Sequence, residues 1–265
     1  QKPSAEVAAC ASSPVAGCVA AMRIVLSRKG FDMASGGGPS PIVDGRPVSL
    51  PIPDSKGLSP VTYGALGLGA LVARASGGRL GAGDACHHDP LFTADGQAIL
   101  GQCHAAEGHL ARQGVGVGDV FLFFGLFDSP DEGRHHRIFG YLKVARVIDV
   151  ATADAAVLAP FRALGHPHAF GLHAGNDRLY LGPGAAARRA HPGLRLTALG
   201  ARPSLWRVPG FFARTGLSYH ANPARWGAEG QLKAASRGQE FVAEVGSDAE
   251  ARAWLAQVIA AITAN

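Results

Sequence analysis

Apolar positions in this chain come mostly as short consecutive runs, with only a few helical stripes. Val120–Phe127 (VFLFFGLF) has no polar position on either face, which is the pattern of a buried central strand. Arg23–Ser27 (RIVLS) reads as a first strand, and Gln239–Val245 (QEFVAEV) as a late one. After the polar turn DSPDEGRHH, Ile138–Val150 reads as one long second strand. Arg178–Leu181 and Leu196–Leu199 are short strand candidates. Residues 47–53 (PVSLPIP) suit an extended edge, where proline is tolerated.

Helical spacing is clearest at Ile99–Gln113. Ile99, Cys103, Ala106 and Leu110 share a face there, and Gly114 follows as a stop. Val61–Ala75 and Asp154–Leu164 have weaker helical patterns. Ser247-Asp248-Ala249-Glu250 reads as a capping box for a final helix that buries Trp254, Leu255, Val258, Ile259 and Ile262. Strands and helices do not alternate strictly. The expectation is a single α+β domain, with a mixed sheet or small PUA-like barrel, flanking helices and long Gly/Pro-rich loops. There is no internal repeat and no linker. Residues 1–21 are Ala-rich and lack bulky apolar side chains, whereas Met22 opens MRIVLSRKGFD. We therefore read 1–21 as an extension, non-native or disordered, and 22–265 as the domain.

Composition adds limits. Hydrophobic residues are 47% and charged residues 17%, which excludes global disorder. With 36 Gly and 17 Pro, ordered loops are expected rather than a helix bundle. The net charge of +5 permits an anionic partner without demanding one. The four cysteines form no CxxC pair, so no disulfide framework is expected and a reducing, cytoplasmic setting fits. No apolar run is long enough for a membrane helix.

Candidate chemistry lies in four places. Ser27–Asp32 runs into the glycine-rich Gly36–Pro41. Backbone N–H groups there, with Arg28 and Lys29, could meet a phosphate, although the P-loop order is absent. Gln102 and His109, read on one helix, share a face beside Ala105 and Ala106. Glutamine can read adenine, and histidine can move a proton. The same residues also suit a solvated loop and an ordinary amphipathic helix. His87-His88-Asp89 and His166-Pro167-His168 together contain metal-ligand residue types, but the spacing matches no standard zinc pattern. No metal is assigned and no cofactor follows; His-Pro-His reads as a rigid turn pointing one histidine inward. Last, Gly118-Asp119, the following apolar strand and IFGYLKVARVID resemble, over 118–150, the PUA-like group with its ASCH and EVE domains. Those are small barrels that hold RNA or a flipped base.

Several stretches together carry a fuller resemblance: MRIVLSRKGFD with GGGPSPI (22–42), LPIPD (50–54), the HDP–GQ–AAEGHL region (88–110) and VGVGDVFLFFGLF (115–127). RIFGYLKV (137–144), HPH (166–168), YHANPARW (219–226) and GQEFV (238–242) continue it. Jointly they resemble the nucleotide modification associated domain 3 family across nearly all of 22–265. Cys103-His104 depart from the pattern, where small residues are expected. The resemblance implies a setting in nucleic-acid base modification. Nucleic acid or a nucleotide would be the partner, base-modifying enzymes would act alongside, and no membrane is involved. Asp32, His109 and Glu240 are the candidate catalytic residues. Arg28, Lys29, Ser40, Gln102 and His168 are the candidate nucleotide-binding residues. The expected function is binding or processing of a modified nucleotide or base in DNA. The alternatives are a non-catalytic reader that stacks a flipped base on Phe124 or Trp226, and a small-nucleotide hydrolase. If the resemblance holds, Asp32, His109 and Glu240 should line one cleft.

Overall fold

The computed structural model describes residues 22–264; the extension read over 1–21, with Cys10 and Cys18, lies outside the described residues. The first half contains strands β1 (Arg23–Arg28), β2 (Ser40–Val43), β3 (Arg46–Pro47) and β4 (Ile52–Pro53), then helix α1 (Gly69–Ser76). Strands β5 (Cys86–His87), β6 (Leu91–Phe92) and β7 (Gln97–Gln102) follow, then α2 (His104–Arg112), β8 (Val120–Asp128), β9 (His135–Lys143) and β10 (Arg146–Asp149). The second half has α3 (Ala155–Ala163), β11 (Arg178–Ala186), β12 (Leu205–Arg207), α4 (Phe211–Thr215), β13 (Gln231–Lys233), β14 (Glu240–Glu244) and α5 (Ala249–Thr263).

This is an α+β domain built on one large mixed sheet that curls into a half-barrel. Its main path runs β14-β1-β8-β9-β11-β7-β6. β1 lies parallel to β8 on one side and antiparallel to β14 on the other. Two-residue periodicity divides the side chains between two cores. Ile24, Leu26, Leu122 and Phe124 face α4 and α5, where Phe211, Leu255 and Val258 pack. Val25, Phe121 and Phe123 face the other way, onto Leu100, Leu110, Phe139 and Tyr180. Both faces of β8 are therefore covered, as its apolar sequence requires. A register shift between Phe123 and Phe124 adds a bend to the β8–β9 pair.

The elements differ from the sequence reading at several points. Ile99–Gln113 is not one helix: β7 runs to Gln102, Cys103 is extended (φ −148°, ψ −179°), and α2 begins at His104. Every position from Ala98 to Gln102 is buried, so helical and strand periods fit equally well, and pairing with β11 decides for the strand. Ile138–Val150 divides after Lys143. β9 pairs with β8 there, whereas β10 turns onto β11, which is long enough to serve both. Gly182 permits this turn, because a Cβ there would meet the Lys143 carbonyl oxygen at 2.0 Å. Leu196–Leu199 contributes only an isolated bridge, Thr197 to Trp206. The helix read from Val61 begins only at Gly69, after turns that include Gly67 at φ 69°. The edge read over 47–53 is realised as two short pairs, β3 and β4. α5 is capped by Asp248, whose carboxylate accepts from the Ala251 N–H at 2.9 Å, and Ser247 is not the cap. Among the described residues, no helix is long and apolar enough to cross a membrane.

Candidate functional site

A cavity of about 540 Å³ opens where β1 and β7 end and β14 and α2 begin. Its chemistry centres on Glu240, the first residue of β14, which is only 1% exposed. The β1–β14 register sets Ser27 opposite Glu240. Ser27 Oγ thus donates to Glu240 Oε1 at 3.0 Å, and Lys29 Nζ reaches the same oxygen at 3.3 Å. The Gln102 amide, at the end of β7, is a third donor to Oε1. The other carboxyl oxygen, Oε2, is buried and has no hydrogen-bond partner. Burial pushes the Glu240 carboxyl above its ordinary range, against the pull of Lys29 and the Ser27 hydrogen bond.

Arg28 and Lys29 diverge at the end of β1. The Arg28 guanidinium donates to the Ala235 and Ser236 carbonyls at 2.9 and 3.3 Å and lies 5.7 Å from the Phe124 and Phe241 ring centroids. Lys29 is the cation of this pair that meets the cavity carboxylate. Asp32 is on the rim, with Oδ1 accepting from the Ala34 and Ser35 N–H groups at 2.8 and 2.7 Å. Ser40 is not among the cavity-lining residues. It is buried, and its hydroxyl accepts from the Leu50 N–H at 3.1 Å.

His109 lines the opposite wall from α2. Its Nε2 is 3.0 Å from Ser218 Oγ, which itself accepts from the Val242 N–H, so α2 is tethered to β14. Tyr219 lies beside it, with ring centroids 4.7 Å apart. Tyr219 is 46% exposed and holds φ at 66°, a conformation L residues rarely adopt. It is the aromatic of this wall. The two stacking candidates read from the sequence are elsewhere. Phe124 is fully buried between Trp206 and Phe241, and Trp226 lies outside the lining with its indole donating to the His220 carbonyl.

His87, Asp89 and His168 line the remaining wall, backed by His166 and Asp177. His166 and His168 both point inward from a short 3-10 turn, Pro167–Phe170, where one inward histidine was expected. The Asp89 side chain is only 3% exposed, accepts from the Gly101 N–H at 2.9 Å and pairs with His166 Nε2 at 3.2 Å. Burial raises its carboxyl, but the His166 hydrogen bond and the Lys29 charge outweigh this and hold it well below the usual carboxylate range. His168 Nδ1 is 2.6 Å from Asp177 Oδ1, and His168 Nε2 is 3.1 Å from His87 Nε2. Burial lowers His168 to about 4 and His87 to about 3, so both imidazoles are neutral at ordinary pH. Gly101 allows this packing, since a Cβ there would sit 2.1 Å from His168 Cδ2.

The cavity therefore gathers Arg28, Lys29, Asp32, Gln102, His109, His168 and Glu240 from the sequence-predicted set. Sequence reading named Ser27 only within the stretch Ser27–Asp32, and missed Asp177, which meets His168 Nδ1, and His173, whose ring stacks on His168. It named His87 and Asp89 only as part of a His-His-Asp run, and Tyr219 only within YHANPARW.

A half-barrel with an enclosed carboxylate, an ammonium and one aromatic side chain at its strand ends is, as a class, an α+β domain with a polar cavity. More particularly, the chain belongs to the nucleotide modification associated domain 3 family, which matches residues 23–244. Comparisons with curated proteins and with solved structures find no significant match.

Proposed function

We propose that this cavity takes the base of a modified nucleotide in DNA, with Glu240 as its principal reader. The observation that carries the proposal is the divided state of the Glu240 carboxyl. Oε1 is saturated by Ser27, Lys29 and Gln102, while Oε2 is buried and unpartnered. Leaving a buried polar atom unpaired costs about 1–3 kcal/mol, and a ligand donor that completes the bond in a cavity offsets that cost. Carboxylates recognise exocyclic amino groups, as in cytosine. Tyr219 beside His109 supplies a face for the ring, and Lys29 supplies positive charge near a phosphate. The volume of about 540 Å³ lies within the roughly 300–1,000 Å³ usual for small-molecule sites. The family's association with nucleotide modification supports the same reading.

The test is calorimetric titration with modified and unmodified nucleotides and oligonucleotides. A modified nucleotide or a base within an oligonucleotide should bind, and Glu240→Gln and Tyr219→Ala should each weaken binding about tenfold or more. No binding across the screen, or binding indifferent to both variants, would refute the proposal.

A processing role for the same site is favoured by one observation: burial holds Glu240 toward its protonated form, which suits a general acid. In that case Glu240→Gln loses turnover beyond its loss of binding, whereas a reader has no turnover to lose. A small-nucleotide hydrolase would ignore duplex DNA.

A further inference from the structure

We propose that His87, His168 and His173 form a binding site for a divalent transition-metal ion, zinc by preference, in the wall of the cavity. The three residues come from separate segments: His87 ends β5, His168 lies in the 3-10 turn, and His173 follows in the next loop. One potential ligand nitrogen from each lies within 4.8 Å of the others. The Nε2 atoms of His87 and His168 face each other at 3.1 Å. Two imidazole nitrogens on one tetrahedral zinc, each about 2.0–2.1 Å from the metal, stand roughly 3.3 Å apart. The His173 ring is stacked on His168 at 4.3 Å and stands edge-on to His87 at 5.5 Å.

The competing explanation is a hydrogen bond between His87 and His168. It accounts for one contact and leaves the third ring unexplained, because His173 Nε2 is buried and has no hydrogen-bond partner. An ion would account for all three rings. His168 is also oriented as a ligand should be. With Nδ1–H donating to Asp177 Oδ1 at 2.6 Å, its Nε2 presents a lone pair toward His87. A carboxylate behind a histidine ligand fixes its tautomer and raises its basicity. Asp177 also belongs to an overlapping group with Cys103 and His168, where its bond to His168 Nδ1 suits it to this supporting role. Three imidazoles suit zinc, and three protein ligands leave a fourth position open. His87 and His168 line the cavity, so that position opens toward whatever the cavity holds. The proposal rests on the histidines alone and does not depend on the identity of that ligand.

The test uses the full chain, untagged and stripped with a chelator, titrated with zinc against a chromophoric competitor. One zinc per chain is expected, with a rise in Tm. His87→Gln and His173→Gln should each weaken zinc binding tenfold or more, with circular dichroism confirming that they fold. Asp177→Asn should weaken it about 10–100-fold, as loss of an outer-shell partner does. Cobalt(II) should give the visible bands of a tetrahedral site in the wild type and lose them in His173→Gln. Failure of the wild type to bind zinc stoichiometrically would overturn the proposal. So would zinc affinity and cobalt bands that survive in folded His87→Gln and His173→Gln.

Discussion

Glu240 shows how much one buried side chain can impose. Its carboxyl is raised by burial, so the folded state binds its proton more tightly than the unfolded state. The stability linked to this group therefore falls as pH rises from about 4.5, its ordinary value, toward the raised value, and is level above it. Glu240→Gln should remove that decline, and Lys29→Met should extend it to higher pH, because Lys29 pulls the carboxyl down. Tm measured against pH for the three proteins checks this; parallel profiles for wild type and Glu240→Gln would refute it. At this scale the cavity-lining residues were readable where a polar residue bordered an apolar run, as with Lys29 and Gln102 after one and Glu240 before one. The sequence was less readable for neighbours. Arg28 and Lys29 look alike as a basic pair, but successive residues at a strand end face opposite sides, and only Lys29 meets the Glu240 carboxylate. Ser40 looked like part of a glycine-rich anion loop, yet its hydroxyl secures the Leu50 backbone. Tyr219 could not be singled out, because its place depends on an unusual loop backbone.

Among the elements, β8 was the most legible. A strand with apolar side chains on both faces needs two cores, and both are present. Phe121, Phe123 and Phe124 are each fully buried. Replacing any of them with Ala should cost about 3–5 kcal/mol in urea unfolding. Near-wild-type midpoints at all three positions would contradict the double-core arrangement. The β7–α2 junction was the least legible. Ile99, Leu100 and Gln102 are all buried, so local pattern could not separate strand from helix; the partner, β11, is distant in sequence. Gln102 and His109 were expected on one helix face and instead come from two elements. They still line one cavity, because α2 folds back immediately from the end of β7.

For the whole molecule, the α+β class was legible from the irregular order of strands and helices, and the family from motifs spread along the chain. The sheet order was not. It depends on pairings such as β1 with β14, which no local signal encodes. The cavity walls come from at least three distant stretches, around Lys29, Gln102 and Glu240. If a nucleotide binds there, amide hydrogen exchange should slow together in residues 30–35, 103–109 and 238–240. Protection confined to one stretch would mean that the ligand sits elsewhere.

The β1–β14 pair also governs when the cavity can exist. Ser27 and Glu240 are hydrogen-bonded across a sequence separation of 213 residues. During synthesis, β1 emerges early and must wait for nearly the whole domain before its second neighbour arrives. Until then that edge of β1 has unpaired backbone groups, available to other chains. Such distant pairings slow folding, because loop closure precedes any gain from the contact. A chain stalled before residue 240 has the Lys29 ammonium without its carboxylate and α2 without its Ser218 tether to β14. If the cavity takes a ligand as proposed, competence for it is acquired only once β14 has been made, late in the synthesis of the domain.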